Sequence, residues 1–195
     1  MRTNSFFGFS TYIAMAMFAA PCFGQSTDGD SAARMTREEL CQKVLCREPS
    51  TVEVVLEDGR IMLIPFEDVS PIVLPNGWVT VLPGEDVHIA FDVMNGVIGN
   101  PRAITQPDAS EHTLSFHFDQ DAETAGSSLI VESTLDYAIK FDVGIMLPED
   151  DKIRSTSSCP VLARKKTYER WPHPIFQIIL ARFRVLAPDS SMECK

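Results

Sequence analysis

Apolar and polar residues alternate with a period of two through most of this chain beyond residue 50. Over residues 137–147, Tyr137, Ile139, Phe141, Val143, Ile145 and Leu147 share one face of an extended backbone, and Lys140 and Asp142 take the other. Eleven residues of this pattern do not fit a helix, whose faces recur every 3.6 residues. Residues 113–118 repeat it, with Leu114, Phe116 and Phe118 opposed to Ser115 and His117, and residues 129–131 open another strand. In residues 51–65, Val52, Val54 and Leu56 alternate with Glu53 and Glu57 before Asp58-Gly59 turns the chain back. A two-residue turn there predicts a hairpin with Glu57 opposite Arg60 and Leu56 over Ile61.

A second hairpin is predicted from residues 78–82 through Pro83-Gly84-Glu85-Asp86 into residues 87–93. Trp78, Thr80 and Leu82 then share a face with Val87, Ile89 and Phe91, and His88 and Asp92 lie opposite. Residues 95–110, rich in Gly, Asn and Pro, read as a long connection with at most a short strand at Ala103-Ile104. The last apolar run, residues 175–186, is apolar on both faces at one end and predicts a strand in the middle of a sheet. Its β-branched residues and the Pro172/Pro174 bracket disfavour the rival helix. The one predicted helix follows the capping box Thr36-Arg37-Glu38-Glu39 and runs to about Cys46. Together these elements predict a mainly β fold, an antiparallel two-layer β-sandwich with one short N-terminal helix.

Asp136-Tyr137 ahead of a long strand resembles the tyrosine corner of immunoglobulin-like sandwiches, over two residues only. No inter-sheet cysteine pair with a central tryptophan accompanies it. The sandwich is therefore immunoglobulin-like in a loose sense.

The first 24 residues carry one charge, Arg2, then an apolar segment and the small residues around Cys22-Phe23-Gly24. That is the layout of an export signal, too short for a bilayer span, so no membrane span is expected after cleavage. A polar, mobile leader over residues 25–35 and a single domain over 36–195 complete the expected organisation. Export predicts a periplasmic or secreted location. It leaves Cys41, Cys46, Cys159 and Cys194, an even set that predicts two disulfides. Residues five apart on an ideal helix point about 140° away from each other, so Cys41 and Cys46 are expected to reach distant partners, Cys159 and Cys194.

The net charge of −10 becomes −11 once Arg2 is removed. Residues 48–136 hold sixteen acids against Arg60 and Arg102, whereas Arg164, Lys165, Lys166, Arg170, Arg182 and Arg184 crowd the last fifth. An acidic body speaks against a nucleic-acid partner, and the basic segment is expected to pair with acids within the fold. No catalytic, cofactor or metal motif is present. His88, His112, His117 and His173 lack metal-binding spacing, and Cys41-x4-Cys46 has no matching second pair for zinc. The most unusual composition, residues 168–174, offers Tyr168, Arg170, Trp171 and His173 as a ligand loop. The alternative role for Trp171 is to plug one end of the sandwich.

These features favour a non-enzymatic exported module with a binding or structural role, whose partner is another envelope protein or a polysaccharide. The rival is a small hydrolase or carbohydrate-binding domain using the acidic face and the Trp171 loop.

Overall fold

Two antiparallel sheets face each other across one apolar core in the computed structural model, which describes residues 35–107, 112–187 and 189–194. The export signal and nearly all of the leader lie outside the described residues. The elements are α1 (Arg37–Cys41), β1 (Cys46–Arg47), β2 (Ser50–Val55), β3 (Ile61–Phe66), β4 (Ser70–Pro71), β5 (Val79–Val81), β6 (Glu85–Met94) and β7 (Val97–Ile104). They continue with β8 (Thr113–Gln120), β9 (Ser127–Ser133), β10 (Ile139–Met146), β11 (Arg154–Thr156), β12 (Lys166–Trp171) and β13 (Gln177–Val185). One sheet runs β12-β9-β8-β6-β7 and the other β11-β10-β13-β5, while β1-β4 and β2-β3 form two small ribbons.

Period-two alternation delivers the core. Val87, Ile89 and Phe91 from β6, Leu114, Phe116 and Phe118 from β8, and Leu129 and Val131 from β9 meet Ile139, Phe141, Val143 and Ile145 from β10. At the centre, the Phe141 ring lies 5.8 Å from Phe116 and 5.5 Å from Phe183, in edge and tilted arrangements favoured by the ring quadrupole. The alternation of β10 begins at Ile139: Tyr137, expected inward, is exposed ahead of the strand.

The last apolar run is a strand, as expected, flanked by β10 and β5. Its two apolar faces have a specific origin. Lys140 pairs with Arg184, but Asp142 pairs with Ala181, so Arg182-Phe183 opposes the single residue Phe141. This β-bulge, with Arg182 at φ 53°, shifts the alternation by one residue. Ile178 and Leu180 before it and Phe183 and Val185 after it all pack against the same core.

The first hairpin forms with a different register. Val55 pairs with Ile61, and the Leu56 N–H donates to the Arg60 carbonyl at 2.8 Å. The loop is therefore the three residues Glu57-Asp58-Gly59, with Gly59 at φ 80°, and Leu56 does not sit over Ile61. This register turns Ile64 and Phe66 toward Val52, Val54, Leu82 and Phe176, and leaves Ile61 and Leu63 exposed. Gln120 docks the ribbon by imitating a strand. Its side-chain oxygen accepts the Val55 N–H at 2.9 Å, and its amide donates to the Val55 carbonyl at 2.8 Å and the Ala125 carbonyl at 3.1 Å. Gln120→Ala strands these backbone groups, and an expected loss of about 1–3 kcal/mol in urea unfolding measures the latch.

The second expected hairpin is absent. β5 pairs with β13, and Pro83-Gly84 carries the chain across to the other sheet. Val79 and Val81 consequently face the core, in place of the expected Trp78, Thr80 and Leu82. The hairpin partner of β6 is β7, eight residues within the stretch expected to be a connection. Asn95-Gly96 joins them, both at positive φ (52° and 75°) as a primed turn requires. Pro101 is accommodated because it lies in an edge strand at a bulge, where Asn100-Pro101 opposes Phe91.

Both disulfides form, with local connectivity: Cys41–Cys46 and Cys159–Cys194. The expected long-range pairing fails because α1 ends at Cys41. The capping box forms, yet the chain unwinds after Gln42 and returns Cys46 to within 5.5 Å (Cα to Cα) of Cys41. Besides the β1–β4 pairing, Arg47 ties this N-terminal loop to the sandwich through its side chain. Its guanidinium grips both Glu85 carboxylate oxygens at 2.5 and 2.8 Å, the Thr80 hydroxyl at 2.9 Å and the Thr80 carbonyl, while Glu85 also accepts the Leu82 N–H at 2.8 Å.

Candidate functional site

The alternation of β12 separates the residues of the expected ligand loop. Tyr168 and Arg170 point outward, whereas Trp171 points inward, 8% exposed, with its Nε1 donating to the Thr156 hydroxyl at 3.2 Å. Trp171 thus takes the alternative role as a plug of the core. Arg170 borders a cleft with Asp121 and Thr124, and His173 lines another, so the four side chains do not converge.

The His173 cleft, about 530 Å³, also collects Asp58, Arg60, Glu149, Asp150 and Arg154. A histidine beside carboxylates is hydrolase-like in composition, but the electrostatics run the other way. Hydrogen bonds from Arg60 hold the Asp58 carboxyl below the usual aspartate range, and those from Arg154 (2.9 and 2.5 Å) do the same for Asp150. A general acid needs its carboxyl raised. Depressed values mean that these pairs persist at neutral pH and are lost as pH falls through the lowered values. Among the described residues, no Phe, Tyr or Trp lines the cleft.

The histidines of the five-stranded sheet lie on its outer face. Asp86 pairs with His117 and His88 with Ser115, and the ring Nδ1 atoms lie 2.8 Å from the Asp86 carboxylate and the Ser115 hydroxyl. Among the described residues, no three His, Cys, Asp or Glu side chains are gathered as metal ligands.

The outer face of the four-stranded sheet carries a more complete constellation. Val79 pairs with Leu180, so one step further along the ladder Trp78 stands beside Ala181, and Ala181 in turn pairs with Asp142. The next outward row is Thr80, Ile179, Gly144 and Ser155. Two small residues, Ala181 and Gly144, thereby sink a groove of about 590 Å³ between larger walls. A Cβ on Gly144 would stand 2.6 Å from Ile153 Cγ2, which shows how closely Ile153 lies over the floor. Trp78 and Ile153, 37% and 50% exposed, are the apolar walls, and Lys140, Asp142, Arg182 and Arg184 form a charged rim.

The bulge aims that rim. Arg184 donates to Asp142 Oδ1 and to the Arg182 carbonyl, both at 3.0 Å, and Arg182 pairs with Asp142 Oδ2. Two further residues of the basic segment pair as expected with acids nearby: Arg164 with Asp136 at 2.6 Å and Lys166 with Glu132 at 2.9 Å. Trp78 was hidden from sequence reading because the expected hairpin turned it to the core.

Comparison of the chain with protein-family models, curated proteins and solved structures finds no match. The chain is therefore described by its architecture: a β-sandwich tied by two disulfides, with no helix among the described residues long and apolar enough to cross a membrane.

Proposed function

We propose that this chain is an exported module with a binding role, periplasmic or secreted, that engages an envelope protein or a polysaccharide through the groove over Gly144. The groove carries the reading. An exposed tryptophan, an apolar floor and a guanidinium rim converge there, the mixture of apolar surface and a few directed polar groups that ligand sites use. The disulfides support an oxidising compartment, where such bonds persist. On this reading residues 1–24 are removed as a signal, residues 25–35 form a leader, and residues 36–195 are the working domain. The pairing of Asp58 and Asp150 with arginines weighs against the rival hydrolase at the His173 cleft.

Expression of the full chain in an exporting bacterial host tests the location. The expected product is cleaved after Gly24, released by osmotic shock, and blocks no maleimide until it is reduced. An unprocessed cytoplasmic product with five reactive thiols, Cys22 included, would contradict the reading.

A further inference from the structure

We propose that the groove over Gly144 binds an acidic carbohydrate chain, with Trp78 stacking on a sugar ring and Arg182 pairing with a uronate carboxylate; this rests on the groove being the binding face. Three cations, Lys140, Arg182 and Arg184, and one acid, Asp142, line it, a local balance of +2 on a chain of net charge −10. An anionic ligand is drawn to this face and repelled by the acidic remainder, which also disfavours a long nucleic acid.

The donors match a planar carboxylate. The Arg182 side chain is 80% exposed and meets Asp142 through one terminal nitrogen, leaving further N–H groups of its fork directed at solvent. A guanidinium fork recognises carboxylate with two parallel hydrogen bonds, a match that a point charge lacks. The walls match a sugar. Trp78 offers a flat apolar face of the kind that packs on the C–H face of a pyranose, and Ser155, in the outward row beside Gly144, places a hydroxyl along the β11 side for a ring hydroxyl. Inorganic anions need neither feature. The groove crosses β11, β10 and β13 to Trp78, which precedes β5, and is walled by exposed side chains, a shape suited to a chain passing through.

Titration of the full chain with hexagalacturonate, with neutral cellohexaose and with sodium sulfate tests the assignment. Hexagalacturonate is expected to bind and to shield Trp78 from acrylamide, and Trp78→Ala and Arg182→Glu are each expected to weaken it by about tenfold or more. The Arg182 side chain is largely exposed, so that variant keeps the fold even where Trp78→Ala does not. Equal binding of cellohexaose, equal competition by sulfate at matched charge, or unaltered affinity in Arg182→Glu would each overturn the proposal. A photocrosslinker at position 155 separates the two readings when no uronate binds. Crosslinking to an envelope protein overturns the ligand class and keeps the groove as a binding face, and no crosslink removes both.

Discussion

Arg47→Ala is expected to cost about 3–5 kcal/mol of folding stability, read from urea unfolding of the full chain. The Arg47 side chain is 8% exposed and Glu85 25%, so the pair is held largely out of water, where each partner relies on the other. Removing the guanidinium leaves the Glu85 carboxylate with only the Leu82 N–H, strips Thr80 of two donors and leaves the Cys41–Cys46 loop held by the β1–β4 backbone pairing without its side-chain tie to the sheet. The contrast is Arg37→Ala. Its pair with Asp68 is exposed on both sides, and its loss is expected to stay within about 1 kcal/mol. Similar costs for the two variants would refute the anchoring role of Arg47.

The two disulfides are expected to differ in worth. Closing a loop removes unfolded-state entropy that grows with loop length, so the 35-residue separation of Cys159–Cys194 stabilises by about 4 kcal/mol and the five-residue separation of Cys41–Cys46 by about 2 kcal/mol. Paired Cys→Ser variants compared by urea midpoint check the ranking. Equal losses in the two variants would contradict this pairing, since with Cys41 and Cys46 bridged to Cys159 and Cys194 either double substitution would remove both bridges.

Strand identity was legible wherever burial alone set the side-chain pattern, as in β8 and β10. It failed where backbone geometry intervened. One additional residue in the Glu57-Asp58-Gly59 loop moved the first register, and the bulge at Arg182 made a one-faced strand look two-faced. Asn95-Gly96 was a readable hairpin signal, masked by Pro101, which reads as a break until its edge position is known. The disulfide pairing was misjudged because an ideal helix was extended past Cys41. The groove was the least legible part. It depends on β5 pairing with β13, nearly a hundred residues away in sequence, and on the small side chains Gly144 and Ala181, which alternation treats as neutral. The Arg47–Glu85–Thr80 cluster is hidden for a similar reason, since contact between residues 33 and 38 positions apart leaves no local pattern.

The two tryptophans offer the most direct test of how the sheets are layered and which face is presented. With Trp171→Phe, the remaining Trp78 is expected to emit at long wavelength and to be quenched readily by acrylamide; with Trp78→Phe, the remaining Trp171 is expected to emit at short wavelength and resist quenching. Exposed emission from Trp171 together with protected emission from Trp78 would contradict both the packing of the sandwich and the groove on its outer face.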